Sequence, residues 1–279
     1  MKIAVTGATG FIGRHVLAEL SNHPVEVIAI VRDLETAQLS DFTGKIVQCD
    51  LARLPDRVFK VLDCPDVLIH LAWDGLPNYK SLHHFEEELP KQYTFLSTLV
   101  RSGLSTLVVA GTCFEYGMLS GELSESITPQ PSNPYGYAKN ALRCQLEYLQ
   151  AIHPFSLVWA RLFYLYGEGQ SSKSLFSQLQ AAVKNHEVVF NMSGGEQLRD
   201  YLHVDQVARH LVKFALHPQD LGVINICSGN PVSIRSLAEK WITENEWEIR
   251  LNLGYYQYPD HESLAFWGNK QKLMNIERE

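Results

Sequence analysis

The chain has 279 residues, with 46% hydrophobic and 20% charged side chains and a formal net charge of −7 at pH 7. These values predict a globular protein with a sizeable core, and the negative charge argues against nucleic acid or an anionic membrane as a partner. The five cysteines have no paired spacing, so neither a disulfide framework nor a zinc or other metal site is implied. Because the chain starts with a strand pattern and contains no apolar run of membrane-spanning length, we expect a cytoplasmic protein.

Short apolar runs alternate with amphipathic stretches along the chain. The runs, each typical of a buried parallel strand, cover 2–7, 25–31, 45–50, 66–72, 106–111, 155–161 and 222–228. Helical spacing occupies 11–22, 80–102, 134–152 and 204–217. This alternation predicts an α/β fold with a doubly wound parallel sheet of the Rossmann type.

The second half of the chain is less regular, which predicts a smaller lobe interwoven with the sheet. After about residue 161, Gly/Ser-rich turns such as "YGEGQSSKS" and "NMSGGEQ" interrupt the alternation. We expect residues 1–160 plus about 204–228 to form a dinucleotide-binding domain. Residues of about 161–203 plus 229–279 then form a C-terminal substrate-binding lobe.

The segment "TGATGFIG" places three glycines directly after the first strand and at the start of a helix. Gly7 allows a tight turn, Gly10 lets backbone amides approach a pyrophosphate, and Gly13 lets the helix pack closely on the strand. The alternative is a glycine-rich turn between core elements, but the strand, loop and helix order favours a dinucleotide site.

The end of the second predicted strand, "AIVRD", bears on the choice of cofactor. A carboxylate at this point selects NAD, whereas a cation accommodates the 2′-phosphate of NADP. Alignment on the glycines puts Val31 at the carboxylate position and Arg32 beside it, so NADP (NADPH) is favoured. NAD remains the alternative if Asp33 serves as a displaced carboxylate.

The segment "NPYGYAKN" places Tyr135 and Lys139 one helical turn apart, so both side chains lie on the same helix face. The spacing alone is also compatible with a core tyrosine beside a surface lysine. In a dinucleotide-binding protein, a neighbouring ammonium would favour the phenolate of the tyrosine and bring its pKa closer to neutral pH.

The glycine spacing and five further segments together resemble the extended short-chain dehydrogenase/reductase superfamily, the NAD(P)-dependent nucleotide-sugar epimerases, dehydratases and reductases. The segments are "CDL" at 49–51, "HLAW" at 70–73, "YGYAK" at 135–139, "ARLFYLYG" from 160 and "RDYLHVDQVA" from 199. They occur in the family's order and span most of the chain.

The resemblance implies a role for each matching residue. The implied cofactor contacts are Gly7, Thr9, Gly10, Phe11, Ile12, Gly13, Arg32, Asp50, Leu51, Leu71, Ala72, Tyr135 and Lys139. Tyr135 is implied to be the catalytic acid or base, Lys139 to tune it and hold the nicotinamide ribose, and Thr112 to complete the catalytic set. The resemblance also implies a homodimer formed through the helices at 80–102 and 134–152.

The residues after Thr112 separate the reactions within the family. The dehydratase branch carries an acid pair where this chain has Cys113 and Phe114, and a thiol and a phenyl ring cannot replace two carboxyl groups. Glu115 lies one residue late, and strand alternation would turn it to the opposite face. A dehydratase is therefore disfavoured.

On the substrate side, the resemblance makes Arg199 a clamp on the diphosphate of a nucleotide sugar and implies a substrate contact at Tyr164. The alternative for Arg199 is an ion pair with Asp200. Tyr164 departs from the family pattern, which has asparagine at that position, so the contact to the sugar must differ.

These expectations favour NADPH-dependent reduction of the 4-keto group of a nucleotide-linked 4-keto-6-deoxyhexose. The first alternative is a nucleotide-sugar 4-epimerase that retains NAD, which would use the same residues. The second is a non-catalytic NADP-binding regulatory protein, which would keep the glycine loop without needing the proton-transfer residues.

Overall fold

The computed structural model describes residues 1–39, 41–217, 219–258 and 263–278. Its centre is a parallel sheet of seven strands. The strands are β1 (Lys2–Thr6), β2 (Glu26–Val31), β3 (Lys45–Gln48), β4 (Val67–His70), β5 (Thr106–Thr112), β7 (Ser156–Leu162) and β12 (Gly222–Ile226). Their order across the sheet is β12-β7-β5-β4-β1-β2-β3, which confirms the predicted doubly wound sheet and all seven predicted strands.

Helices cover both faces of this sheet. The helices are α1 (Phe11–Leu20), α2 (Val58–Val61), α3 (Leu89–Arg101), α4 (Pro134–Ile152), α5 (Leu175–Lys184), α6 (Val204–Leu216), α7 (Ile234–Glu244) and α8 (Gln271–Arg278). One face packs against α1, α6 and α8, and the other against α2, α3 and α4. Because both faces are covered, the central strands β4 and β5 are buried at every residue, whereas the edge strand β3 is mostly exposed.

The helix predicted over 80–102 begins later than expected. A π-helical turn occupies His84–Glu88, and the regular helix α3 starts at Leu89. Pro90 lies in the first turn of α3, and because it has no backbone N–H it cannot donate a hydrogen bond back to the π-helical turn before it. Residues 71–82, between β4 and this turn, run as a loop.

The remaining strands are short and join segments that are distant in sequence. They are β6 (Gly121–Leu123), β8 (Tyr164–Tyr166), β9 (Val189–Asn191), β10 (Leu198–Arg199), β11 (Tyr201–His203), β13 (Val232–Ser233), β14 (Arg250–Asn252) and β15 (Phe266–Gly268). Four two-stranded pairs result: β6 with β15, β8 with β11, β9 with β14, and β10 with β13.

A separate hydrophobic cluster forms around α5 and α7, with Leu179, Phe190 and Trp241 at its centre. From the last part of the chain, Leu273 of α8 packs into the core of the main sheet instead. The proposed division into two domains stays a prediction. Among the helices of the described ranges, none combines the length and the apolar character needed to cross a membrane.

Parallel strands all point the same way, so the loops after β1, β2, β4 and β5 meet at one edge of the sheet. These loops carry Gly7, Arg32, Leu71 and, at the last residue of β5, Thr112. The fold thus gathers the predicted site residues at the carboxyl end of the sheet.

Candidate active site

The glycine loop has the geometry that a pyrophosphate requires. Gly7 has φ of +67°, and a Cβ there would lie 2.9 Å from the backbone nitrogen of Ala72. A Cβ on Gly13 would overlap the carbonyl oxygen of Gly7, so both positions exclude other residues. The first turn of α1 contains Phe11 and Ile12 and follows Gly10, which has no side chain to cap it, so its amides can face an anion. The residues present therefore fit a dinucleotide.

A buried hydrogen-bond group holds this loop against the end of β4. The Thr6 hydroxyl lies 2.8 Å from Nδ1 of His70 and accepts from the backbone nitrogens of Leu71 at 3.2 Å and Ala72 at 3.4 Å. Burial lowers the pKa of His70 to about 3, so its ring is neutral. Because the Thr6 oxygen already accepts two hydrogen bonds, its hydroxyl proton is assigned to Nδ1 of His70. The predicted contacts Leu71 and Ala72 are thus brought beside Gly7, and Thr6 and His70 are supports that sequence reasoning missed.

Arg32 lies at the end of β2, as predicted, with its side chain 79% exposed and its Nη1 3.7 Å from a carboxylate oxygen of Asp74. Asp33 is engaged in its own turn, where its carboxylate accepts from the backbone of Glu35 and the hydroxyl of Thr36. The guanidinium is therefore the more available of the two charged groups for a ligand.

The other predicted contacts lie along the same edge of the sheet. Asp50 caps the turn after β3 by accepting from the backbone nitrogen of Ala52 at 2.9 Å, and the neighbouring Leu51 is half-buried. At the glycine loop, the carbonyl of Thr9 accepts from Nε of Arg14 at 2.9 Å.

Tyr135 and Lys139, the first and last residues of "YGYAK", lie in the first two turns of α4. Asn133 caps this helix by accepting from the backbone nitrogen of Gly136 at 2.8 Å. Tyr135 is 8% exposed, with the side chain of Thr112 near enough to influence its pKa, and Lys139 is 2% exposed. The Nζ of Lys139 donates to the carbonyl of Ala110 at 2.9 Å. The structure thus brings Thr112, Tyr135 and Lys139 together at the end of β5, and Lys139 is not a surface lysine.

The pKa of Tyr135 corrects one expectation. Burial raises this pKa far above its usual range, and Tyr79, Glu115 and Cys113 raise it further, while the side chain of Thr112 lowers it. Burial therefore outweighs the ammonium of Lys139, which lies 6.0 Å from the centre of the Tyr135 ring. In the protein by itself, Tyr135 is a protonated phenol.

Lys139 shifts in the opposite direction for the same reason. Burial disfavours its charged form and lowers its pKa to about 7, although Glu115 and Glu88 raise it. The lysine of the site therefore titrates near neutral pH.

A buried ion pair between Glu115 and Arg161 lies beside the end of β5. Strand alternation, which the sequence analysis used to place Glu115, is the wrong reason for its orientation. The strand ends at Thr112, and Cys113–Tyr116 is a 3₁₀ turn, so strand alternation does not apply. Glu115 accepts from the backbone nitrogen of Thr112 at 2.9 Å, from Nε1 of Trp159 at 2.9 Å and from Nε of Arg161 at 2.8 Å. Its carboxylate is engaged in holding Thr112.

An aromatic wall surrounds Tyr135. The ring centres of His84, Tyr79, Trp73 and Phe114 lie at 5.2, 5.6, 6.0 and 6.3 Å from that of Tyr135. Trp73 and Tyr79 come from the loop after β4, and His84 comes from the π-helical turn before α3. Only the position of "HLAW" at a strand end could have drawn attention to Trp73.

Arg199, the predicted phosphate clamp, is 2% exposed. Its Nη1 donates to the carbonyls of Leu198 at 2.9 Å and Leu264 at 3.2 Å. Its guanidinium lies over the ring of Phe266 at 4.6 Å and near that of Tyr164 at 5.7 Å, so the two predicted substrate residues are neighbours.

Asp200, the alternative partner of Arg199, is fully buried. Its carboxylate accepts from the backbone nitrogens of Ser228, Gly229 and Gly268 and from the Ser228 hydroxyl. These four hydrogen bonds tie β10 to the segments after β12 and in β15.

At the rim of the site, the metal-ligand atoms of Asp74, His83 and Glu88 lie within 4.8 Å of one another. Glu88 accepts from the ammonium of Lys91, from the side-chain amide of Gln92 and from the backbone nitrogen of Asp74. Its charge is thus already balanced by the protein, so the group is an ion-pair network.

A doubly wound sheet with a glycine loop and a Thr, Tyr and Lys group at its carboxyl edge defines an NAD(P)-dependent oxidoreductase of the extended short-chain type. The family model for the NAD dependent epimerase/dehydratase family matches residues 3–227, and the chain belongs to that family. The predicted family, fold and enzyme class are therefore confirmed.

Two curated relatives span nearly the whole chain. It is 30% identical over 272 residues to the dTDP-6-deoxy-L-talose 4-dehydrogenase (NAD(+)) of Aggregatibacter actinomycetemcomitans, covering 97% of this chain and 100% of the relative. It is 25% identical over 287 residues to the GDP-6-deoxy-D-talose 4-dehydrogenase of the same bacterium, covering 99% and 91%.

Among solved structures, the chain is similar to MoeE5 in complex with UDP-glucose and NAD. The TM-score is 0.83 at 28% identity, and the match covers 99% of this chain and 92% of that one. The fold similarity thus includes both the sheet and the segments after it.

Proposed function

We propose that the protein reduces the 4-keto group of a nucleotide-linked 4-keto-6-deoxyhexose with NADPH. The observation that carries this proposal is that three buried side chains, those of Thr112, a protonated Tyr135 and Lys139, come together at the end of β5. The relative with the highest identity given above is named as a 4-dehydrogenase of a dTDP-6-deoxyhexose, and a 4-dehydrogenase and a 4-ketoreductase interconvert the same two compounds.

The side chains have separate tasks in this reaction. When bound, the nicotinamide cofactor supplies the hydride. Tyr135 donates its phenolic proton to the oxygen at C4, and the Thr112 hydroxyl holds that oxygen in place. The positive charge of Lys139 stabilises the phenolate that remains, and the aromatic wall keeps water away from it.

Dehydration of the sugar is not part of this proposal, because it needs a second acid and base. Cys113 is buried, and the phenyl ring of Phe114 has no group that can act as an acid or base. The carboxylate of Glu115 is bound to Trp159 and Arg161. Ketone reduction needs only one proton donor, which Tyr135 supplies.

A 4-epimerase that keeps NAD bound is the second candidate. It would use Thr112, Tyr135 and Lys139 in the same positions. The observation that favours it is the similarity to MoeE5, whose solved complex holds UDP-glucose and NAD, and to a UDP-glucose 4-epimerase of Halalkalibacterium halodurans at 25% identity over 264 residues.

The preference for NADPH rests on Arg32. Its side chain is exposed at the end of β2, whereas Asp33 is engaged in its own turn. The Arg32 guanidinium is therefore the charged group that the 2′-phosphate of NADPH would meet. NAD is the alternative, since the relative named above is a dehydrogenase that uses NAD(+) and the solved neighbour holds NAD.

The remaining assignments support the same function. Arg199 would clamp the nucleotide diphosphate, and Tyr164 would contact the sugar. A homodimer through α3 and α4 fits the exposure of two apolar side chains on α4, Tyr148 at 77% and Ile152 at 76%. The homodimer and a cytoplasmic location stay predictions.

The test is to mix the purified protein with NADPH and a nucleotide-linked 4-keto-6-deoxyhexose and to follow cofactor absorbance. We expect one NADPH oxidised per sugar reduced, and little nucleotide bound to the protein as purified. Tightly bound NAD, with sugar interconversion that needs no added cofactor, would overturn the reductase in favour of the epimerase.

A further inference from the structure

The indole of Trp73 lies directly over the ammonium of Lys139. The Nζ atom is 4.0 Å from the centre of the indole ring, well within the range of a cation–π interaction. Trp73 is half-buried in the loop after β4, and its ring also meets that of Tyr135 edge-on.

The plane of the indole is fixed from its far side. Nε1 of Trp73 donates to Nδ1 of His84 at 3.1 Å, and the other ring nitrogen of His84 lies 2.9 Å from the carbonyl oxygen of Asn78. An indole nitrogen can only donate, so Nδ1 of His84 accepts, and its Nε2 carries the proton donated to Asn78. Burial lowers the pKa of His84, which agrees with this neutral form.

We propose that Trp73 is a positioning residue that holds the Lys139 ammonium at the active site through its π face, with His84 and the carbonyl of Asn78 fixing the indole. This inference rests on the proposed function only for its catalytic consequence. The interaction itself is a property of the folded protein.

The surroundings of Lys139 explain why a ring is needed there. The titratable groups that face it are Tyr135 on its own helix, Glu115 after β5, His70 at the end of β4, and His84 and Glu88 in the π-helical turn. Both acids already bind other cations, since Glu115 pairs with Arg161 and Glu88 with Lys91.

The ammonium therefore depends on the Ala110 carbonyl and the indole face for direct contacts. Cation–π attraction is strongest where the cation is desolvated, and Lys139 is 2% exposed. A weaker negative potential on the face of the Trp73 indole should therefore favour the neutral amine of Lys139 over its ammonium.

The test replaces Trp73 site-specifically with a series of increasingly fluorinated tryptophans, which keep the shape and the Nε1 donor but weaken the π face. The titration of Lys139 is followed by NMR of ¹³Cε-labelled lysine, with Lys139→Met identifying the resonance. We expect the midpoint to fall stepwise, by about one pH unit for the most fluorinated ring.

Trp247 is the matched control, because its ring packs against Phe176 in the separate cluster around α5 and α7. Fluorination there should leave the Lys139 titration unchanged. An unchanged midpoint at every level of fluorination of Trp73, or an equal shift from Trp247, would overturn the proposal.

Activity gives a second measurement. Trp73→Leu should lower kcat about tenfold or more with little change in the KM of the nucleotide sugar, and Trp73→Phe should retain most of the turnover. Equal losses in both variants would indicate a packing role instead. If the wild-type protein reduces no nucleotide sugar, the proposed function fails, but the NMR titration still decides the role of Trp73.

Discussion

The two halves of the candidate active site are built in different ways. The proposed cofactor half, from Gly7 to Gly13 with the end of β4, is defined by backbone geometry: a positive φ, a close approach and open helix amides. The chemical half, around Thr112 and Tyr135, consists of buried side chains from separate elements. Backbone geometry depends on a few adjacent residues, whereas the chemistry depends on burial, which no single segment determines.

The largest effect should come from the chemical half. Tyr135→Phe removes the proton donor while keeping the ring in its aromatic wall, so turnover should fall by about two to four orders of magnitude with cofactor affinity nearly unchanged. Steady-state kinetics and cofactor titration measure both. Tyr137→Phe is the control, since Tyr137 lies on the same helix with 54% exposure. Near wild-type turnover in Tyr135→Phe would remove Tyr135 from the mechanism.

The ion pair under Thr112 should matter to stability as well as to activity. Glu115→Ala leaves the guanidinium of Arg161 buried at 1% exposure, which should lower the free energy of unfolding by roughly 3–5 kcal/mol. Denaturant unfolding measures this. The double variant Glu115→Leu/Arg161→Leu should recover most of the loss without recovering turnover, because Thr112 stays unsupported. Recovery of both would show that the pair does not position Thr112.

The cofactor half should respond to a single methyl group. Gly13→Ala places a Cβ against the carbonyl of Gly7, so we expect a loss of about 1–3 kcal/mol in stability together with weaker cofactor binding. Gly10→Ala, where the nearest atom to a Cβ is the Gly7 carbonyl oxygen at 3.1 Å, should cost less thermal stability than Gly13→Ala while still weakening cofactor binding. Equal melting temperatures for the two variants would contradict this close approach of α1 to the loop.

Lys139 should reduce stability in a pH-dependent way. Its pKa is about 7 in the folded protein and near 10.5 in the unfolded chain, so between these values the unfolded state binds more protons and wild-type stability falls as the pH falls. Lys139→Met removes this dependence. Its stability relative to wild type should therefore rise as the pH is lowered from about 10 to 7, by up to about 1.4 kcal/mol per pH unit, and level off below. Thermal unfolding across this range checks the sign, and a pH-independent difference would contradict the burial of a titrating amine.

The smallest effect should fall on the exposed rim of the cofactor half. Arg32→Ala should raise the KM for NADPH by about tenfold and leave that for NADH nearly unchanged, because only NADPH carries a 2′-phosphate. Arg14→Ala is the control, since Arg14 is also exposed but its guanidinium bonds the Thr9 carbonyl. An equal change for both cofactors would remove Arg32 from cofactor selection.

The cofactor half was largely predictable from the sequence, and the chemical half only in part. "TGATGFIG" encodes a strand, a turn and a helix start within one segment, so the positions of Gly7, Gly10 and Gly13 follow from local rules. The helical spacing of Tyr135 and Lys139 likewise put them on one face. The aromatic wall could not be predicted in this way, because Tyr79 lies in a loop and His84 in the π-helical turn before α3, and their positions depend on how these segments pack.

The sequence by itself determined the alternation of strands and helices, the glycine loop and the pairing of Tyr135 with Lys139, because hydrophobic periodicity and residue spacing are local. Only the tertiary structure decided the protonation states. Burial raises the pKa of Tyr135 and lowers that of Lys139 to about 7, and the Trp73 ring then faces the remaining charge. The tertiary structure also decided the orientation of Glu115, which lies in a 3₁₀ turn after β5 and accepts a hydrogen bond from Arg161. Desolvation arises from every element that covers a side chain, so it follows from the assembled fold and from no single stretch of sequence.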